Sequence, residues 1–288
     1  MSLLIGTAAG AFSFDGELRP LIEGTRINHL VRDGDDWWAA DGKGRIHRNA
    51  TIAATMPEGA AALCLQPSRG VIWVGASQGR LYELSGSELN EDEFFADAPG
   101  RERWYTPWGD PADVRSMALD ADHTLYINVH VGGVLRYDNT GLVPVVEIEA
   151  DVHQVAAHHS RKGHVYAATA MGVATSHNGH DFEFFTGGLH ASYCRAILPV
   201  ESMVLVSAST GSRTSRGRLY RASGDGGVFE ALTKGLPDWF GGNVNTHCLA
   251  MVGDRVYAGF NDTVWVSDDG GDFWSELITG LPKLTCLN

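Results

Sequence analysis

The chain has 288 residues, 44% of them hydrophobic and only 20% charged, so it can bury a sizeable core and is not a disordered polymer. Thirty-five acidic against 22 basic residues leave a net charge of −13, which repels phosphate backbones and sets nucleic acid aside as a partner. No apolar run reaches the roughly 18 residues a membrane span needs.

The N-terminal stretch MSLLIGTAAGAFSFDGELRP has no basic flank and is broken by Gly6 and Gly10, so it does not read as a signal peptide. Its first element is LLIGT (3–7), a short apolar run that turns small at its end. The same run recurs as WWAAD (37–41), IWVGA (72–76), LYINV (125–129), VYAAT (165–169), VLVSA (204–208) and VYAGF (256–260). Each reads as a buried strand feeding a tight loop. Another apolar segment stands about ten residues before six of these copies: INHLV (27–31), ALCLQ (62–66), RSMAL (115–119), HQVAA (153–157), CRAIL (194–198) and THCLA (246–250). A seventh, LTCLN (284–288), has no copy after it, and LLIGT has no such segment before it. Joining the two makes the C-terminal strand the innermost strand of the first blade, which closes a ring and removes its open edges. The expectation is therefore an all-β fold, a single seven-bladed β-propeller over residues 1–288, almost without helix. Insertions fall in blade three, at about 85–112, and in blade six, at about 209–218 and 235–245. Four cysteines (Cys64, Cys194, Cys248, Cys286) without a CxxC pair fit reduced thiols, so a cytoplasmic monomer is expected.

After the third strand of blade seven comes SDDGGDFW (267–274), in which Ser267, Asp269, Gly271 and Trp274 spell S-x-D-x-G-x-x-W. SGDGGVF (223–229) repeats it one residue shorter, through Ser223, Asp225, Gly227 and Phe229, and SHNGHDF (176–182) is a worn copy. Each is followed by a similar exit, GLP at 235 and 280 or GGL at 187. These turns resemble Asp-box (BNR) repeats, the hairpins of sialidases, sortilin-type receptors, some glycanases and photosystem II assembly propellers. The resemblance implies turns on the blade periphery, away from the ligand face. Short Asp and Ser side chains there bond turn amides, Gly supplies positive φ, and the aromatic pins the hairpin, which makes Asp269 and Asp225 structural rather than catalytic. Sialidases of this class usually carry Arg-Ile-Pro near the N-terminus and an arginine triad for the sugar carboxylate. This chain has no such tripeptide, and the resemblance stops short of sialidase activity.

In propellers the inner-strand starts and the loops after the second strands meet at one channel mouth. Aligning the inner strands gives a polar column of Asn28, Ala62, Ser116, Gln154, Arg195, His247 and Thr285, with Arg115 and His153 in the column before it. The loops after the second strands add Asp41, His130 and Thr169. The plain reading is a water-lined channel. The sharper one is a pocket in which Arg195 and Arg115 hold an anion while His247, His153 and His130 bind a divalent metal or transfer protons. The residues require no cofactor; a His-bound divalent metal is the one they allow. Blade six would place Arg213 and Trp239 above the same mouth, and Asp41 is the acid nearest Arg195 in the alignment. Trp104 and Trp108 of the blade-three insertion either complete an outer strand or offer a partner-binding patch. There is no nucleophile elbow, P-loop or dinucleotide fingerprint, and Cys194 reads as packing. Two functions follow. One is a binding or assembly propeller engaging a small anionic ligand or protein segment at the mouth near blade six. The other is a metal- or His/Arg-dependent lyase or hydrolase acting there on an anionic or carbohydrate-like substrate.

Overall fold

A short β-branched strand leaves ladder groups open on both edges until neighbours pair with it, and each repeat solves this with a four-stranded antiparallel sheet. The computed structural model describes residues 1–106 and 108–288; Pro107, in the blade-three insertion, lies outside them. Seven such sheets form the ring of a seven-bladed β-propeller. Blade one joins Leu284–Leu287 to Leu3–Thr7, Gly10–Phe14 and Leu18–Glu23, so the C-terminal strand closes the ring from the inside. Blade two takes Ile27–Asp33, Asp36–Asp41, Arg45–Arg48 and Thr51–Thr55, and blade three Ala62–Ser68, Val71–Ala76, Arg80–Ser85 and Glu88–Glu91. Blade four takes Val114–Leu119, Leu125–Val129, Gly133–Asp138 and Gly141–Val146. Blade five takes Val152–Ala157, Val165–Thr169, Gly172–Ser176 and Glu183–Phe185. Blade six takes Tyr193–Val200, Met203–Ser209, Gly217–Ser223 and Glu230–Ala231, and blade seven Leu249–Val252, Arg255–Phe260, Thr263–Ser267 and Ser275–Ile278.

The apolar core is divided among the seams between blades. One cluster packs Leu4 and Ala11 of blade one on Leu30 and Ala39 of blade two; another packs Leu3, Ile5 and Leu287 of blade one on Ala250 and Val264 of blade seven. The five remaining seams each hold their own cluster. The cysteines belong to this packing. Cys64, Cys286 and Cys248 lie opposite Gly75, Gly6 and Gly259 of their second strands. A Cβ on Gly6 would overlap the Cys286 sulfur, and one on Gly75 the Cys64 sulfur. That explains why these second strands turn small at their ends. All four thiols are buried, and burial pushes those of Cys194, Cys248 and Cys286 up to about 12, so they pack rather than react.

The three S-x-D-type turns join the third and fourth strands of blades five, six and seven, on the side away from the inner-strand starts. In blade seven Ser267 Oγ accepts from Gly271 N (2.8 Å), Asp269 Oδ1 accepts from Phe273 N (2.9 Å), and Trp274 is buried in the seam with blade six. In the worn copy Asn178 does the work of the aspartate, accepting from His180 N and Asp181 N at 2.9 Å each. The blade-six turn differs from expectation. It is one residue shorter, and the Asp225 carboxylate turns outward to Arg161 (3.6 Å) instead of capping turn amides; Ser223 holds the turn, through its Oγ to the Asp225 amide and its carbonyl to the Gly226 amide. The exits grip the next blade's turn: Lys234 O accepts from Trp274 N and Gly187 O from Phe229 N. Gly235 and Gly188 sit there with φ of 80° and 86°, and a side chain on either would strike the following blade's backbone.

The blade-three insertion supplies that blade's outer strand (Glu88–Glu91) and then a short helix, Glu93–Ala96, capped by Asp92. Phe95 is buried, Trp104 packs against it, and Arg101 stacks on Trp104. Trp108 is exposed and reaches the mouth beside His130.

Candidate functional site: the channel mouth at the inner-strand starts

Six inner strands change register at their first residues, which leaves one side chain per strand outside the two-residue alternation. In blade seven the ladder begins at Leu249, and His247 takes the equivalent place in a left-handed turn with φ of 63°. The ring so formed is Asn28, Leu63, Arg115, His153, Arg195, His247 and Thr285. This corrects the sequence alignment in blades three, four and five, where Leu63, Arg115 and His153 stand in place of Ala62, Ser116 and Gln154. Ser116 and Gln154 are buried ties between inner strands. Val155 N donates to Ser116 Oγ (2.9 Å), and Gln154 Oε1 accepts from the backbone amides of Ile197 and His247.

A second ring lies two residues upstream of the first: Arg26, Ala61, Asp113, Asp151, Tyr193, Asn245 and Lys283. The two rings enclose a cavity of 380 Å³ whose charged lining is Arg26, Arg115, Arg195, Lys283 and the single carboxylate of Asp113. Among the described residues none of the four cations forms an ion pair. Arg195 Nη1 donates to Asn245 Oδ1 (2.6 Å) and its guanidinium lies over Tyr193, while its Nε is buried without a partner. Burial, and then the like charge of Arg195, lower the Arg115 pKa. A half-buried Arg115 beside the like charge of Arg195 is a place where an anion would relieve both burial and repulsion.

His247 closes the floor. Its Nε2–H donates across the channel to the Arg115 carbonyl (3.1 Å), and its ring lies 4.2 Å from that of His29. It touches both the upper cavity and a second one of 420 Å³, which faces the other mouth and is walled by Leu65, Met117, Val155, Ile197 and Leu249. Burial pushes the His247 pKa down to about 4 and that of His29 well below its ordinary value, so both rings are neutral at pH 7.

His153 belongs to a different group. Its Nε2 faces Asp151 Oδ2 (3.7 Å), and His130 Nε2 faces Asp151 Oδ1 (3.3 Å). Both imidazoles are buried, with 1% and 4% of their surface exposed. Burial, opposed by the Asp151 charge, leaves the His153 pKa at about 4. For Asp151, burial pushes the pKa up, but the facing His130 imidazole and the nearby His153 and Arg115 outweigh it and hold it below the usual carboxylate range. Asp151 sits in the left-handed region (φ 48°), as does Val131 (φ 51°), next to His130. Two such residues around one cluster are a local store of strain of the kind found at functional sites.

No family model matches the chain, and no curated protein matches it. Solved structures do resemble it. The computationally designed Ika8 protein superposes with a TM-score of 0.65 at 15% identity, covering 100% of this chain and 87% of that one. Virginiamycin B lyase from Staphylococcus aureus gives 0.62 at 11% identity, over 96% of this chain and 95% of that one. An ancestral GH74 enzyme gives 0.64 at 14% identity, over 97% of this chain and 40% of that one. What they share with it is the fold.

Several residues singled out in the sequence fall elsewhere. Asp41 is fully buried in its own hairpin, accepting from Lys43 N and Arg45 N and bonding Arg45 Nε (2.7 Å) and His47 Nε2 (3.0 Å); it does not reach Arg195. Thr169 closes its hairpin in the same way, on Gly172 O and Met171 N. Trp239 lies between Arg218, 4.0 Å from its ring, and His190, on the rim of blade six, and neither it nor exposed Arg213 lines the cavity. The two blade-six loops are stitched together through Asn243 and the Gly217–Phe240 bridge, which makes them a fixed arch. His247 stands with His29 and apart from the His130–Asp151–His153 group. Sequence reasoning missed Arg26, Lys283, Asn245 and Asp151. The available signal was the offset of two residues before each polar inner-strand start.

Proposed function

We propose that this chain is a binding propeller of the Asp-box kind whose channel mouth takes up a small anion carrying a carboxylate or phosphate group. The observation that carries the reading is the lining of the 380 Å³ cavity: four cations without ion-pair partners among the described residues, against one carboxylate, in a protein of net charge −13. Guanidiniums match carboxylate and phosphate oxygens in paired hydrogen bonds, and the half-buried Arg115 and Arg195 are costly without a counterion, while exposed Arg26 and Lys283 add positive charge at the rim. A cavity of this size stands at the small end of ligand pockets, which favours a small molecule over a protein segment. The Asp-box assignment rests on the turn geometry of blades five and seven. The names of the lyase and the glycosidase do not carry to this chain, because identities of 11% and 14% support shared architecture alone. The rival reading, a metal-dependent lyase or hydrolase at the same mouth, draws on the His130–Asp151–His153 group.

Calorimetric titration of the full chain with inorganic phosphate and with a dicarboxylate, at low salt, tests the proposal. Arg115→Ala combined with Arg195→Ala should weaken binding by about tenfold or more through loss of charge-assisted hydrogen bonds. Melting should stay close to wild type, because neither guanidinium forms an ion pair. Undiminished affinity in the double variant, or no saturable anion binding by the wild type, would remove the reading.

A further inference from the structure

We infer that His130, Asp151 and His153 form a binding site for one divalent transition-metal ion of the zinc type, at the junction of blades four and five. This inference does not depend on the anion reading.

The first argument is a conflict of lone pairs. His153 Nδ1 lies 2.6 Å from the Cys194 carbonyl oxygen, which can only accept, so Nδ1 carries the hydrogen. In the neutral ring Nε2 then presents a bare lone pair. That atom is buried, has no hydrogen-bond partner among the described residues, and faces a carboxylate oxygen of Asp151. Asp151 Oδ1, facing His130, likewise lacks a hydrogen bond of acceptable geometry. A buried acceptor that has no donor and is faced by a second acceptor costs free energy unless something positive lies between them.

Geometry supplies the second argument. In a tetrahedral zinc site with bonds of about 2.0–2.1 Å, neighbouring donor atoms stand about 3.3 Å apart. The two carboxylate–imidazole separations here are 3.3 and 3.7 Å, and one donor atom from each of the three residues falls within 4.8 Å of the others. The Nδ1–H of His153 bonded to a backbone carbonyl is the outer-sphere contact that orients metal-bound histidines. Asp151, held at positive φ, aims its carboxylate between the two rings. Two imidazoles and one carboxylate favour zinc, cobalt, iron or nickel over magnesium and calcium, which prefer oxygen alone. Three protein ligands would leave coordination positions open to water or an incoming oxygen.

The test uses the full chain stripped with a chelator and then titrated with Zn²⁺ against a chromophoric competitor. Co²⁺ substitution provides an absorption spectrum that reports coordination. Expected is one ion bound per chain, a rise in melting temperature on binding, and no effect of Mg²⁺. Asp151→Asn and His130→Gln should each weaken Zn²⁺ binding at least tenfold and alter the Co²⁺ spectrum. His153→Gln should do the same; if it fails to fold, the other two variants decide. A more exposed group, His164, His177 and Asp225, provides the control, and His177→Gln should leave the tight site intact. Zn²⁺ binding abolished by His177→Gln but kept in Asp151→Asn and His130→Gln would overturn the inference. So would a stripped protein that binds no Zn²⁺ stoichiometrically. Loss of phosphate binding in the arginine variants, with Zn²⁺ affinity retained, would show that the two sites stand or fall separately.

Discussion

At the mouth where the inner strands begin, Arg26, Arg115, Arg195 and Lys283 surround a cavity of 380 Å³; at the mouth where they run out, Leu65, Met117, Val155, Ile197 and Leu249 surround one of 420 Å³. The same seven strands build both, and His247 stands between them. The register shifts account for the difference. Ahead of each shift the side chains escape the alternation and point into the mouth, where water or a ligand can meet their charge. Past it the alternation resumes and channel-facing positions read apolar, from Leu65 and Val155 to Leu249. A mouth rich in cations is thus obtained from otherwise hydrophobic strands at the cost of one irregular residue per blade.

The largest effect is expected from a change that opens both mouths together. Deleting residues 284–288 removes Leu284 and Thr285 from the upper cavity and Leu287 and Asn288 from the lower one, and it exposes the ladder of Leu3–Thr7. The loss should be several kcal/mol, seen as a large drop in melting temperature or a failure to fold cooperatively. Melting close to that of the intact chain would mean that the ring is not held at this seam.

Next comes the divider between the mouths. His247 and His29 are neutral when folded, and burial is the main cause in both. In the unfolded chain each imidazole takes up a proton below pH of about 6.5, whereas folded His247 does so only near 4. The unfolded state therefore binds more protons in that window, and stability should fall as pH drops from about 6.5 to about 4, by roughly 3 kcal/mol at most from His247. Chemical denaturation across this range measures it, and His247→Gln should flatten the slope. An unchanged slope in that variant would assign the acid sensitivity to other groups.

The smallest effect separates the upper mouth from the far side of the blades. Asp269 caps the Phe273 amide in the blade-seven turn, and the bond lies on the periphery. Asp269→Ala should cost about 1 kcal/mol in urea unfolding and leave phosphate affinity at the mouth untouched. A weakened affinity in a stably folded variant would tie the turn to the ligand face.

Much of the ring was legible in the residues alone. The recurrence of LLIGT-like strands, the unpartnered LTCLN and the S-x-D-x-G-x-x-W turn specify seven blades, their closure and the peripheral hairpins, because strand alternation and turn chemistry are local. Arg195, Arg115, His153 and His130 were also recognisable as polar residues at strand starts and loop ends. Their grouping was not. A register shift displaces one residue by an amount that sequence spacing does not record, so Arg115 and His153 fell into the wrong column. Arg26 and Lys283 come from blades two and one, Asp151 from the connection into blade five, and only closure of the ring brings them beside blades four and six. Asp41 looked equally available until the fold placed Arg45 and His47 of its own hairpin against it. Local chemistry thus determined the strands and turns. Which charges face one another was decided by the tertiary structure, since distances across a closed ring depend on every blade in it.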